Sequence, residues 1–336
     1  SPFQRTLRRV GGRADFAAPV VLTGAGGRFM VADEAAAVVS DVEIVVEPEA
    51  RVTLAAIAAA AEVIARRDPD AILLALPSDH LIPDPDAFVV TAIRAAAAAA
   101  EGALATLGLT PRSPTSAYGY IRPGAAVGEG AWRVETFEEK PAPERAAALI
   151  AEGCLWNAGM FCFRAEAGRA VISELAPEIA AAVAAAADSG ENDMGALRLG
   201  AAFGDAPKIS FDYGVMEKTD RAVVVRANFA WSDIGDWREL WSQSEKDAAQ
   251  NALEGDVVVQ DSRGNYIRSQ HRLVCALGVD NLAVVDTPDA LLVAALDRTQ
   301  SVKALVGALE TGGRPEATTP ARVYRPWGWY QTMDLG

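Results

Sequence analysis

"LLALPSDHLIPDP" (Leu73–Pro85) decides how this chain is read. An apolar run passes straight into Asp79 and His80, and prolines follow at once. The pattern is that of a buried strand delivering a carboxylate and an imidazole at its carboxyl end. A turn in which Asp79 merely caps the backbone is the competing reading.

On either side, the chain alternates. "PVVLTG" and "VEIVVEPEA" read as short buried strands, and "VTLAAIAAAAEVIARR" as a helix, because alanine is the best helix former. "DAFVVTAIRAAAAAAEG" is a second helix, with Asp86 expected to cap its start, and "ALATLGLTP" is again a strand. Strands apolar on both faces and separated by helices predict an α/β domain with a mostly parallel sheet. Ligands bind such sheets outside the carboxyl ends of the strands, which is where Asp79 and His80 fall.

From about Asn251 the texture changes. Short β runs (VVV, YI, LVCAL, LAVV, LLVAA) recur between Gly, Asp, Asn and Pro residues, then "DRTQSVKALVGALE" reads as a helix. This predicts a small β-solenoid-like module. The expected division is residues 1–250, a module over 251–310, and a linker with the start of a further segment over 311–336. Trp327 and Trp329 are expected to pack on a body rather than stay in water.

A chain of 336 residues that is 51% hydrophobic can bury a large core. The net charge of −14 repels polyanionic backbones, so nucleic acid is excluded as a partner, although a small phosphorylated ligand is not. No apolar run is long enough to span a bilayer, so no membrane association is expected. Cys154, Cys162 and Cys275 lack metal-ligand spacing and fit a reduced, cytoplasmic setting.

Four further stretches carry candidate chemistry. In "SAYGYIRPG", Gly119 lies between two tyrosines, where backbone can approach a ligand closely or simply turn. In "VETFEEKPAPE", Glu139 and Lys140 suit a sugar phosphate, the carboxylate taking hydroxyl hydrogens and the ammonium the phosphate; a solvated charge run is the alternative. In "CLWNAGMFCFR", Asn157 needs a hydrogen-bond partner among apolar neighbours, either backbone or a ligand hydroxyl. In "FAWSDIGDWREL", Asp236 is read as a helix cap and Asp233 as a second strand-end carboxylate. Asp79 and Asp233, with phosphate oxygens and water, make a ligand set for Mg²⁺.

In this order, "EPEAR", "LPSDHLI", "YGYI", "FEEKP", "LWNAGMFCFR", "DYGVMEKT" and "WSDIGDW" resemble the nucleotide-sugar pyrophosphorylases, and within them the bacterial long-form mannose-1-phosphate guanylyltransferases. The resemblance covers nearly the whole chain. It implies a Rossmann-like nucleotidyltransferase domain followed by a β-rich module of the left-handed β-helix kind. It also implies a reaction in which GTP and mannose 1-phosphate give GDP-mannose and pyrophosphate. Carried over by position, Asp79 and Asp233 would hold Mg²⁺, while Gly119, Glu139 and Asn157 would face the mannose. Lys140 would meet its phosphate, Lys218 would be a further phosphate contact, and Glu47, Arg51 and Thr53 would lie near the guanine. A homodimer is expected as the assembly.

The sequence also departs from that family. The glycine-rich Gly-Gly-x-Gly-Thr-Arg-Leu loop is not in it, and "SPFQRTLRRV" resembles the segment that follows such a loop. A preceding amino-terminal piece is therefore expected, since partner strands would otherwise lack a neighbour. "RPWG" near the end resembles the entry to an isomerase domain, and no isomerase activity is expected of residues 1–336. Val52 stands where the family carries an asparagine, which leaves open another base or sugar, or a non-catalytic sugar-nucleotide-binding homologue.

Overall fold

A computed structural model describes residues 1–317, 322–325 and 328–331, with side chains described through residue 317. Backbone contacts divide the chain into two units, Ser1–Trp231 and Ser232–Gly336. The segment 232–250, expected with the first domain, is grouped with the second unit.

The first unit contains strands β1 (Val20–Gly24), β2 (Glu43–Glu47), β3 (Ile72–Ala75), β4 (Leu104–Leu109), β5 (Tyr120–Gly128), β6 (Ala131–Glu138), β7 (Leu155–Arg164), β8 (Glu191–Asp193), β9 (Ala196–Arg198) and β10 (Ala222–Ala227). Its helices are α1 (Pro2–Val10), α2 (Arg28–Ala36), α3 (Val52–Ala65), α4 (Pro85–Ala100), α5 (Pro143–Ala151), α6 (Ala165–Leu175) and α7 (Pro177–Asp188). The strands form a six-stranded sheet, β3-β7-β4-β10-β6-β5, and a four-stranded sheet, β1-β2-β9-β8.

The expected strand–helix alternation is present, but the expectation of a mostly parallel sheet is corrected. In the larger sheet only β4 and β10 pair in parallel. β7 inserts between β3 and β4 and runs antiparallel to both. The β5–β6 hairpin reverses the chain, and β7, reached from β6 through α5, keeps the reversed direction. The smaller sheet keeps the parallel β1–β2–β9 pairing.

Helices cover both faces of the larger sheet. On one, α3, α6 and α7 pack with Phe161, Phe163 and Phe211. Alanines 55, 59 and 61 of α3 are fully buried, so the poly-alanine stretch is a close-packing surface, not low complexity. Phe211 lies 4.7 Å from Phe161 and 6.0 Å from Phe163, ring centre to ring centre. On the other face, α4 packs through Phe88, Val89, Ala92 and Ala95. Its cap is Asp84, not the expected Asp86. Pro85 occupies the first helical position, where no N–H is needed, and Asp84 Oδ1 accepts from Asp86 N–H (3.2 Å) and Ala87 N–H (2.9 Å). Asp86 pairs instead with Arg13, at 2.9 Å.

The second unit comprises α8 (Trp237–Gln243), strands β11 (Ala252–Glu254), β12 (Val257–Gln260), β13 (Tyr266–Ser269), β14 (Val274–Leu277), β15 (Leu282–Asp286) and β16 (Leu291–Ala295), and α9 (Val302–Thr311). The hairpin β17 (Arg322–Arg325) and β18 (Gly328–Gln331) follows. β11, β13 and β15 stack in parallel, as do β12 and β14, the solenoid pairing expected from the sequence. A buried asparagine ladder joins the coils. Asn251 Oδ1 accepts from Asn265 N–H (3.1 Å) and Nδ2–H (3.0 Å), and Asn265 Oδ1 accepts from Leu282 N–H (2.9 Å). Antiparallel β16 ends the stack. Trp327, and the Trp329 side chain, lie outside the described residues.

Candidate active site

The site begins with a defect in β7. Across from β4, Thr106 pairs with Phe161 and Gly108 with Asn157, so β7 spends four residues where β4 spends two. This bulge is the reason for the polar interruption in "LWNAGMF". Gly159 takes a left-handed conformation (φ 64°), which glycine adopts without strain. Asn157, 6% exposed, closes the bulge by accepting from Gly159 N–H at 3.2 Å through Oδ1. The fully buried Thr106 hydroxyl lies 2.9 Å from the same oxygen and 3.1 Å from the Met160 carbonyl. Asn157 Nδ2 donates to Asp212 Oδ1 at 2.7 Å, and Asn157 N–H to the Gly119 carbonyl at 2.8 Å.

Glu139 comes to the same place from the end of β6. Its backbone N–H donates to Glu217 Oε1 at 3.0 Å. Its carboxylate is only 6% exposed; Oε1 accepts from Lys140 Nζ at 2.6 Å, while Oε2 is buried without a partner. A methyl group on Gly119 would stand 2.4 Å from Glu139 Oε2 and 3.3 Å from Asn157 Cβ. Gly119 is therefore bare because the carboxylate occupies the space a side chain would take. Lys140 has a left-handed backbone (φ 49°) and a side chain 55% exposed, which leaves its ammonium at the solvent side of the buried carboxylate. Burial lowers the Lys140 pKa, but the hydrogen bond and charge of Glu139 outweigh it, and the net shift is upward. Asp212 is pushed up to about 6, first by burial and then by the Glu139 charge, against the opposing pull of its backbone, Asn157 and Lys140.

Asp79 lies exposed in the turn after β3. The turn is braced from behind. Arg9, 3% exposed, donates to the His80 carbonyl at 3.1 Å and lies 5.3 Å from the Phe88 ring centre. Burial lowers the Arg9 pKa to about 10. Trp231 Nε1–H donates to His80 Nδ1 at 3.1 Å, leaving the imidazole proton of the neutral ring on Nε2. His80 thus positions the turn. In the second unit, Asp233 is half-buried and its Oδ1 accepts from Gly235 N–H at 3.3 Å. Asp236 caps α8 as expected, accepting from Glu239 N–H at 2.8 Å.

The "EPEARVT" loop joins β2 to α3. Glu47 Oε1 and Arg51 Nε are both buried without a partner, and burial raises the Glu47 pKa. Arg51 forms an ion pair with Glu49 at 2.9 Å. Val52 has φ 64°, a left-handed conformation costly for a β-branched residue. Thr53 Oγ1 accepts from Phe211 N–H at 3.0 Å, so the loop is tied to the residue before Asp212. Lys218 is exposed, two residues beyond the π-helical turn Asp212–Met216. Among the described residues, no cluster of three or more His, Cys, Asp and Glu side chains is placed to hold a metal. An exposed carboxylate such as Asp79 is the kind of donor a hard divalent cation takes, its other positions being filled by phosphate and water oxygens.

Gly119, Glu139, Lys140 and Asn157, each singled out in the sequence, lie together in the structure. Sequence reasoning missed Asp212, Thr106 and Arg9. The signal for Asp212 was an aspartate set within "ISFDYGVM", an otherwise apolar stretch.

Residues 3–250 match the nucleotidyl transferase family, and residues 255–309 match the MannoseP isomerase/GMP-like beta-helix domain. The chain is 43% identical over 322 residues to the Xanthan biosynthesis protein XanB of Xanthomonas campestris pv. campestris, covering 95% of this chain and 68% of that protein. It is 40% identical over 341 residues to a mannose-1-phosphate guanylyltransferase of Sinorhizobium fredii, covering 99% and 66%. Among solved structures it is similar to a Thermus thermophilus protein described as mannose-1-phosphate geranyltransferase. That match has a TM-score of 0.78 and 30% identity, over 92% of this chain and 89% of the other.

Proposed function

The chain belongs to the nucleotidyl transferase family, and from that premise we propose that it joins GTP and mannose 1-phosphate into GDP-mannose and pyrophosphate. The observation that carries the sugar-phosphate half is the Glu139–Lys140 pair. A buried carboxylate oxygen without a partner, beside a bare glycine and under a solvent-facing ammonium, calls for a ligand with both a hydroxyl donor and an anionic group.

In this reading an oxygen of the sugar phosphate attacks the α-phosphorus of GTP. The bond to the β-phosphate breaks, and its electron pair leaves on pyrophosphate. The protein supplies position and charge rather than a covalent partner. Glu139, Asn157 and the Gly119 backbone orient the mannose, and Lys140 meets its phosphate, with Lys218 as an outer contact. Glu47, Arg51 and Thr53 face the base end. The family uses a divalent metal, and we propose Mg²⁺ with carboxylate ligation from the exposed Asp79. When bound, the ion offsets charge on the triphosphate. A homodimer working in the cytoplasm completes the reading; among the described residues, no helix is long and apolar enough to cross a membrane.

The test is turnover. With GTP, mannose 1-phosphate and Mg²⁺ the protein should release pyrophosphate and form GDP-mannose. UTP, dTTP or glucose 1-phosphate should give far less, and chelation of the metal should stop the reaction. Equal rates with UTP or dTTP would overturn the guanine assignment, and binding of GDP-mannose without any pyrophosphate release would overturn the transferase.

A further inference from the structure

We propose that Asp212 is a positioning residue that makes Asn157 a donor-only contact, so that the pocket selects a sugar whose hydroxyl donates to Glu139 while a neighbouring oxygen accepts from Asn157. The inference rests on the sugar-phosphate site proposed above and adds a residue outside it.

The polarity of Asn157 follows from its neighbours. Gly159 N–H can only donate, so the side-chain atom 3.2 Å from it must be the amide oxygen. That oxygen also lies within reach of the Thr106 hydroxyl, so its acceptor capacity is directed into the bulge. The amide nitrogen is thereby left facing Asp212, and a carboxylate oxygen 2.7 Å away is an acceptor that rewards this orientation. One N–H of Asn157 is left over. A ligand therefore meets a donor at Asn157 and an acceptor at Glu139 Oε2. Both groups border the space that a Gly119 side chain would fill.

Holding a carboxylate there works against the fold. Asp212 shares its surroundings with the Glu139 charge, which Lys140 offsets in part. A residue kept for packing alone would do better as a neutral amide or an apolar group. The position is also anchored from behind, since Phe211 N–H is held by Thr53 and the turn Asp212–Met216 is π-helical, a form common at functional sites.

The experiment measures the dissociation constant of mannose 1-phosphate by calorimetry for the wild type and for Asp212→Ala, Asp212→Asn and Thr106→Val. Binding needs no turnover, so the readout is independent of catalysis. Asp212→Ala should weaken binding about 10- to 100-fold, the range for losing a hydrogen bond to a charged group. Asp212→Asn, whose Oδ1 still accepts, should return binding to within about 3-fold of wild type, and Thr106→Val should fall between them. A purely structural role would not be rescued in this graded way. Equal affinity for wild type and Asp212→Ala, or an Asp212→Asn variant as weak as Asp212→Ala, overturns the proposal and leaves the functional reading intact. A wild-type protein that does not bind mannose 1-phosphate overturns the functional reading, and this proposal with it.

Discussion

The Asn157 pocket and the Asp79 turn are both strand-end features of the same sheet, yet they are built in opposite ways. Around Asn157, side-chain polarity is fixed atom by atom within a bulge, and the Glu139 carboxylate is buried without its full complement of partners. At Asp79 the carboxylate is exposed, and the structure invests instead in what lies behind it, Arg9 on the His80 carbonyl and Trp231 on the His80 ring. Telling hydroxyl groups apart requires donors and acceptors that cannot rotate to suit a wrong ligand. A hydrated cation needs only charge and access, because it brings most of its own ligands.

Three substitutions test the contrast. The largest effect is expected at the open turn. Asp79→Asn should lower turnover about 10³-fold, in keeping with loss of charge at a metal-assisted step, while the melting temperature stays within a degree or so. A rate within a few-fold of wild type would remove Asp79 from metal binding. Next comes the closed pocket. Gly119→Ala places a methyl 2.4 Å from Glu139 Oε2, the free end of a flexible side chain, so the carboxylate should shift and the fold should survive. The dissociation constant for mannose 1-phosphate should rise about 10- to 100-fold, or roughly 1.4–2.7 kcal/mol, with GTP binding unchanged. Unaltered sugar-phosphate affinity would mean the space beside Gly119 is not where the ligand sits.

The smallest effect concerns stability. Folded protein holds the Asp212 proton up to about pH 6, whereas the ordinary carboxyl releases it near 3.8. The ionised carboxylate therefore costs stability above pH 6, and the cost disappears as pH falls through that window. Asp212→Asn should gain about 2 kcal/mol in urea unfolding at pH 8 and almost nothing near pH 4. A pH-independent difference would mean that the carboxylate is not disfavoured in the folded chain.

Much of this was legible before any coordinates. Alternating runs gave the α/β class and the change of texture near Asn251, because hydrophobic periodicity is a local signal. The direction of β7 was not legible, since nothing in "LWNAGMFCFR" says that it inserts between β3 and β4; that choice depends on partners some fifty and ninety residues away. Glu139, Lys140 and Asn157 were visible as polar residues at the ends or in the middle of apolar runs. Asp212 also interrupts an apolar run, but its burial and its raised pKa exist only once β6 and β7 bring Glu139 and Asn157 against it. Asp84 was passed over for Asp86 because the helix was started at Asp86, whereas Pro85 is its first residue.

The amides of Asn251 and Asn265 have a consequence for how the second unit can change in size. Each rung spends its oxygen on the backbone of the next coil, so a coil's contacts are made with its immediate neighbours and not with a common centre. Such a stack has no built-in length. It can gain or lose a whole turn carrying its own asparagine without re-sorting the others, whereas an insertion of a few residues would break the chain of amides at that step and everything beyond it.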